Sequence, residues 1–296
     1  MSKHLQFKLF LVFGLLVFLA KEGICQSQKT KPDFEQSLLD ARMSFHRTYY
    51  EKASTLFDQL IQVKEDHALT HAYMALVDFM LYKDPSLHIE RALTLTDESD
   101  PNNSITLALC SFASGDYWGC ESNIKEFLIK DPENQFGSHL LAMTLIAMDR
   151  AEEGKSTLID LLQRNKEYFP AYNHMGYACL KLNQKEEAIQ AFETFLQKDS
   201  LNPSAYDSYA EAWFESGNTE KAIACLNKAV KLDPYFAYGW NHMGDIYYQI
   251  GKTEDAIHAF EQGKKVAKYY GPEFTQSLDQ KLEDLKKEYK IGKAEK

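Results

Sequence analysis

The sequence predicts an all-α protein, a solenoid of about seven stacked helix pairs closed by a C-terminal capping helix. Three observations carry this reading. First, a motif returns every 34 residues: Lys185-Glu186-Glu187-Ala188-Ile189 recurs as Thr219-Glu220-Lys221-Ala222-Ile223 and again as Thr253-Glu254-Asp255-Ala256-Ile257. Second, each period carries two runs of small and apolar residues at helical spacing. Third, Gly (14) and Pro (8) are scarce in 296 residues, while 18 Phe, 17 Tyr and 3 Trp exceed what a disordered chain carries. Self-similarity at a fixed period overrides the two-domain expectation from length alone.

Taken in chain order, residues 1–25 read as an export signal. Lys3 and Lys8 precede an apolar run, Leu9 to Ala20, that is too short to span a bilayer, and Gly23 and Cys25 fit a cleavage site before Gln26. Two alternatives stay open: an uncleaved anchor from Leu5 to Ala20, and a lipidated Cys25, which Ile24 and Glu22 fit poorly. The expected location is periplasmic or secreted, or membrane-anchored and facing the periplasm under either alternative. Residues 26–33 form a polar linker.

The array is expected over 34–270, in segments 34–67, 68–100, 101–134, 135–168, 169–202, 203–236 and 237–270. The first carries Ala41, Tyr50, Ala53, Phe57 and Leu60. The second is the weakest: Asp84-Pro85 falls in its inter-helix turn and its period drops to 33. The third keeps phase with Leu107, Ala108, Gly115-Asp116-Tyr117 and Phe127; the fourth is looser, with Leu141-Ala142, Gly154, Leu158 and Leu161. The last three are the clearest. In 203–236, Tyr206, Tyr209, Ala210 and Trp213 make one helical face. Ser216-Gly217-Asn218 then breaks the chain, Ala222, Leu226 and Ala229 make a second face, and Asp233-Pro234 ends the unit. Small residues such as Ala210, Ala222, Gly244 and Ala256 let the two helices approach while aromatics fill the flanks. After Gly271-Pro272, Phe274, Leu278, Leu282, Leu285 and Tyr289 share one face of a polar-backed helix over 271–290, the cap that a repeat array needs. A lysine-rich tail, 291–296, follows.

These residues resemble the tetratricopeptide repeat family, whose 34-residue pattern sets an aromatic, Leu-Gly, Tyr, Ala, Phe, Ala and Pro in order. The resemblance covers about residues 34–270. It implies a right-handed superhelix whose first helices line the concave side. It places Leu109 and Phe112, then Met143, then Asn173, Tyr177 and Lys181, then Asp207, Glu211 and Phe214, then Asn241, Asp245 and Tyr248 on that side. The implied groove is apolar toward its start and acidic with aromatics toward its end; the alternative is that its early apolar positions are buried by tighter coiling of the array or by a neighbouring protein. The implied partner is a protein or peptide, basic or polar with an apolar end. The subtype that grips carboxylate tails uses cationic residues where this chain has Asp207, Glu211 and Asp245, so such a tail would be repelled.

Other chemistry is thin. The formal charge is −10, or −12 without residues 1–25, which argues against nucleic-acid partners. No phosphate loop, nucleophile elbow or paired-cysteine motif occurs, so neither enzyme activity nor a cofactor is expected. His67 and His71 sit at i, i+4 without a third ligand and read as surface or cap histidines. His174 and His242 occupy equivalent positions two periods apart, too far to share a metal or proton. Cys110 and Cys120 read as buried thiols, with a disulfide between facing helices as the alternative.

Overall fold

The computed structural model describes residues 33–294, with side chains to 290. The readings made for residues 1–32, the signal, Cys25 and most of the linker, lie outside the described residues. Among the described residues every regular element is an α-helix. They are α1 (Phe34–His46), α2 (Tyr50–Val63), α3 (Ala68–Met80), α4 (Ser86–Leu95), α5 (Asn103–Ala113), α6 (Tyr117–Lys130), α7 (Gln135–Ala147), α8 (Ala151–Arg164), α9 (Ala171–Lys181), α10 (Lys185–Lys198), α11 (Pro203–Glu215), α12 (Thr219–Leu232), α13 (Ala237–Gln249), α14 (Thr253–Val266) and α15 (Pro272–Ala294). None of them is long and apolar enough to cross a membrane. The C-terminal helix runs on past 290 into the expected tail, where no Pro stops it and Lys293 and Ala294 favour helix against the cost of Gly292.

From α2 onward each helix packs on the next in sequence, and α3 with α5, α7 with α9, α9 with α11 and α11 with α13 also touch. This one-and-two-neighbour pattern is that of a solenoid. The recurring alanines explain why the pairs fit. Ala188, Ala222 and Ala256 are all fully buried, each where a second helix crosses the first. Opposite them, a Cβ on Gly176 would collide with the Phe192 ring and one on Gly244 with the Phe260 ring. Each of these fully buried rings contributes about 1.5–3 kcal/mol by leaving water, and the glycines are what let the rings lie flat against the helix backbone. Helix starts are set locally: the Asn202 side chain accepts from the Ser204 and Ala205 amides with Pro203 in the first turn, and Asn218 accepts from the Lys221 amide.

A second periodicity lies in the turns. Thr48, Tyr82, Gly115, Asp149, Asn183, Gly217 and Gly251 all have left-handed backbones, with φ between 55° and 86°. They recur every 34 residues, save the 33-residue step from Tyr82 to Gly115 that marks the irregular segment. Four of the seven are not glycine, so side chains are held where L-residues are disfavoured.

The described residues from 38 onward also turn back on themselves. The Gly271 amide donates to the Leu81 carbonyl at 2.8 Å, the Tyr238 hydroxyl donates to the Met80 carbonyl at 2.5 Å, and Tyr270 donates to Glu51 at 2.7 Å. The Tyr82 and Phe274 rings lie 5.5 Å apart. A side chain on Gly271 would land on the Tyr82 carbonyl. The early helices therefore meet the late ones.

Candidate functional site

That closure decides what becomes of the expected groove. The apolar half is not open. Leu109, Phe112 and Met143 are buried, and so are Asn173 and Asp207. Phe112 is packed edge-on between Phe79 at 6.0 Å and Tyr117 at 5.2 Å. The expectation of an exposed apolar groove along α5 and α7 is corrected accordingly: the face exists, and the chain itself covers it.

Over α7 and α9 the cover is the end of α1 and the turn after it. Arg42 lies 4.0 Å over the Phe136 ring and donates to the Tyr73 hydroxyl at 3.1 Å. Met43 packs on the cluster of Phe136, Ile146 and Ala178. His46 Nδ1 is 3.0 Å from His139 Nδ1, which is also 3.0 Å from the Tyr168 hydroxyl. His139 Nε2 is 2.8 Å from His174 Nδ1. Next in the chain, Arg47 pairs with Asp199 at 2.8 Å, Tyr49 donates to Asp199 at 3.0 Å, and Asn202 donates to the Arg47 carbonyl at 2.7 Å. The segment Arg42–Tyr49 is basic with an apolar middle, the chemistry expected of an outside partner.

The three imidazoles sit in a nearly dry site. Burial pushes the His46 and His139 rings well below the usual range, with Arg42 and His174 opposing charge on His46, and His174 with His46 opposing it on His139. Burial alone lowers His174 to about 4. His46 Nε2 has no hydrogen-bond partner among the described residues. The assignment that orphans no buried N–H has His46 Nδ1–H donating to His139 Nδ1, with the Tyr168 O–H sharing that nitrogen's one lone pair, and His139 Nε2–H donating to His174. All three rings are then neutral.

The acidic half stays partly open. Asp207, Glu211, Phe214 and Asp245 line one cleft of about 180 Å³ together with Glu215, His242 and Gln249. Here α11 and α13 lie side by side, so residues one repeat apart converge. His242 Nδ1 is 2.8 Å from the Asp207 carboxylate, which holds the imidazole up at about 9 against the cost of burial. Burial raises the Glu211 carboxyl, Asp207 and Glu215 add to the rise, and His242 opposes it. Lys281 of α15 reaches Asp245 at 2.7 Å and Asn241 at 3.0 Å, so the cap helix neutralises one of the expected charges. Among the described residues neither Glu211 nor Glu215 pairs with a Lys or Arg side chain within 4.0 Å.

The remaining expected residues are spread out. Tyr248, 49% exposed, joins Asp245 in a second cleft of about 470 Å³ against Lys281, Leu285 and Lys287. Tyr177 donates to or accepts from Ser208 at 2.9 Å beneath the surface. Lys181 is exposed and pairs with Asp149 at 3.1 Å, away from the cleft. Two contributors were not expected, His242 as a cleft wall and Lys281 from the cap. The reading of His71 as a surface residue is corrected: it is buried, 3.0 Å from His88 and 2.9 Å from the Glu65 carbonyl. His67 turns to Thr70 instead. Among the described residues no group of three or more His, Cys, Asp or Glu side chains is arranged to hold a metal. Cys110, Cys120, Cys179 and Cys225 are free thiols, and Cys120 is 3.1 Å from the Thr144 hydroxyl.

Comparison with known proteins bears on the fold. Family models described as tetratricopeptide repeat match residues 169–197 and 237–269, and one described as TPR repeat matches 210–251. No curated protein sequence matches the chain. A tetratricopeptide repeat protein from Parabacteroides merdae is similar in structure, with a TM-score of 0.57 at 14% identity over 85% of this chain and 98% of that one. A human IFIT1 dimer with m7Gppp-AAAA gives 0.65 at 18% identity over 83% of this chain and 60% of that one. The Cut9–Hcn1 hetero-tetramer of APC/C gives 0.63 at 13% identity, over 83% and 48%. At such identities these likenesses speak to the fold alone. The matched family models identify tetratricopeptide repeats between residues 169 and 269, and the repeated helix pairs give the described residues the fold of a tetratricopeptide-repeat protein.

Proposed function

We propose that this chain is a non-enzymatic scaffold that holds a protein or peptide partner in a bacterial cell envelope, using the cleft between α11 and α13. One observation carries the reading: in a partly open cleft Glu211 and Glu215 lie beside Phe214, and among the described residues neither carboxylate pairs with a Lys or Arg side chain, His242 facing Glu211 and Lys185 reaching only the Glu215 backbone carbonyl. A carboxylate pair beside an aromatic face suits a lysine or arginine side chain from a partner strand or helix. Asp207 and Asp245 contribute less, because His242 and Lys281 already answer them. The envelope part of the proposal rests on Lys3, Lys8 and the Leu9–Ala20 run.

Binding of fluorescent Lys- and Arg-containing peptides, against Glu-containing ones of equal length, tests the cleft. The Glu211→Gln, Glu215→Gln variant should bind basic peptides about tenfold more weakly, the ~1.4 kcal/mol expected of lost charge contacts. Equal binding by variant and wild type sinks the reading. Mass spectrometry of the mature chain tests location: a start at Gln26 means a freely soluble exported protein, and a lipid on Cys25 means an anchored accessory of the envelope.

A further inference from the structure

We infer that the segment Arg42–Tyr49 is an intramolecular occupant of the concave face, closing it at neutral pH and withdrawing from it in acid. The inference goes beyond the cleft between α11 and α13 and does not depend on it. Its basis is the set of contacts at the two ends of the segment, which differ in kind.

At one end the hold is neutral and nearly dry. His46 lies against His139 at 3.0 Å and against the Phe136 ring at 5.0 Å between centroids. In the neutral assignment every lone pair that the three rings offer to one another is engaged except that of His46 Nε2, which is buried and unpartnered. A proton arriving there creates a cation and a buried N–H with no acceptor. The charged group facing it from α1 is Arg42, of the same sign. From α3 comes the Tyr73 ring, from α7 His139 and Phe136, from the α8–α9 turn Tyr168, and from α9 His174. None of these is an anion. The carboxylate of this interface, Asp199, is taken up by Arg47 and Tyr49.

At the other end the hold is ionic and polar. Arg47, Tyr49 and the Arg47 and Thr48 carbonyls meet Asp199, Asn202 and Ser204. Thr48 sits between the two ends with φ at 65°, a conformation that a β-branched residue adopts only when its surroundings impose it. Loss of the histidine contact removes one of the two constraints that hold it there. Acid therefore works on the first end directly and lets the strained turn relax. The uncovered surface presents Phe136, His139 and the cluster of Ala142, Ile146 and Ala178 on which Met43 packs, the face on which an apolar partner segment would then dock.

Hydrogen exchange of the whole chain, corrected for the intrinsic pH effect, reads the segment directly. Between about pH 7.5 and pH 5, the range over which a histidine freed into water charges while the covered ring does not, amides of 44–49 should lose protection about tenfold or more while α13 and α14 keep theirs. His46→Phe, which retains a ring against Phe136 but cannot charge, should hold 44–49 protected at both pH values. If that variant does not fold, NMR titration of the His46 ring in the wild type serves instead, and its protonation should share a midpoint with the loss of protection. Unchanged protection in the wild type overturns the inference. So does loss in step with α13 and α14, persistence of the acid response in a folded His46→Phe variant, or a ring midpoint separate from the opening.

Discussion

Arg47 and Asp199 stand 152 positions apart in the chain and 2.8 Å apart in the fold. The pair joins the turn after α1 to the end of α10, and it draws in the Tyr49 hydroxyl and the Asn202 amide. Asp199 is buried, whereas Arg47 keeps about a third of its side chain in water. Removing the carboxylate with Asp199→Ala leaves a guanidinium and a phenol without their acceptor. The expected loss is about 2 kcal/mol, below the 3–5 of a fully buried pair because water still reaches Arg47. Urea unfolding of the variant measures it, and an unchanged midpoint would mean that the contact does not anchor the turn.

His242 and Asp207 give the opposite dependence on pH from the buried histidine trio. The His242 ring titrates at about 9 in the fold and at about 6.5 in an unfolded chain. Its contribution is complete below about 6.5 and is lost as pH rises through 9. Glu211 acts in the same direction, since its raised carboxyl also favours the proton-bound native state. The full shift on His242 would be worth about 3 kcal/mol, but the ring is over a third exposed, and solvent screening cuts this to about 1 kcal/mol. Denaturation midpoints should fall between about pH 6.5 and pH 9 in the wild type and stay flatter in Asp207→Asn. Parallel slopes in the two proteins would contradict the pairing.

The helix pairs were legible because each repeat solves the same packing problem with the same small residues, and Ala188, Ala222 and Ala256 show the solution three times. The irregular second segment was legible too, through Asp84-Pro85 and its 33-residue step. The covering of the groove was legible only as an alternative to the open groove. It depends on how tightly the pairs coil, a cumulative property of small rotations that no single period encodes. One signal could have been found. Residues 35 apart on successive first helices touch, as His139 and His174 do, and Asp207 and His242 do. Comparing histidines two periods apart missed the pairs one period apart. Lys281 escaped because the cap helix carries no repeat register by which to place it.

The left-handed turns allow a cleaner test of backbone strain than most proteins offer. At Gly217, with φ at 86°, a Cβ would meet nothing within 4 Å. Gly217→Ala should therefore cost about 1 kcal/mol for conformation alone. At Asp149, φ is 63° and, among the described residues, the side chain pairs with Lys181 alone, at the surface. Asp149→Gly relieves the strain and loses a surface pair worth little, so stability should stay level or rise by up to about 0.5 kcal/mol, part of the gain being offset by glycine's freedom when unfolded. Thermal melting separates the two. A large loss in Asp149→Gly would mean that its carboxylate, and not the backbone, sets the turn.

The register of the whole array rests on Ala222. It is fully buried among Ala210, Leu226, Met243 and Ile246, where α12 meets α11 and α13. Ala222→Trp adds a bicyclic ring where no space exists, and the pair must separate to admit it; the expected cost is about 3 kcal/mol or more. Ala224, two residues on and facing solvent, supplies the control: Ala224→Trp should stay within about 0.5 kcal/mol of wild type. Since each pair leans mainly on its neighbours, hydrogen exchange in Ala222→Trp should rise first in α11, α12 and α13 while α5 to α8 remain protected. Equal effects of the two tryptophans would show that the second helix of this pair is turned the other way, and the assignment of the acidic cleft would fall with it.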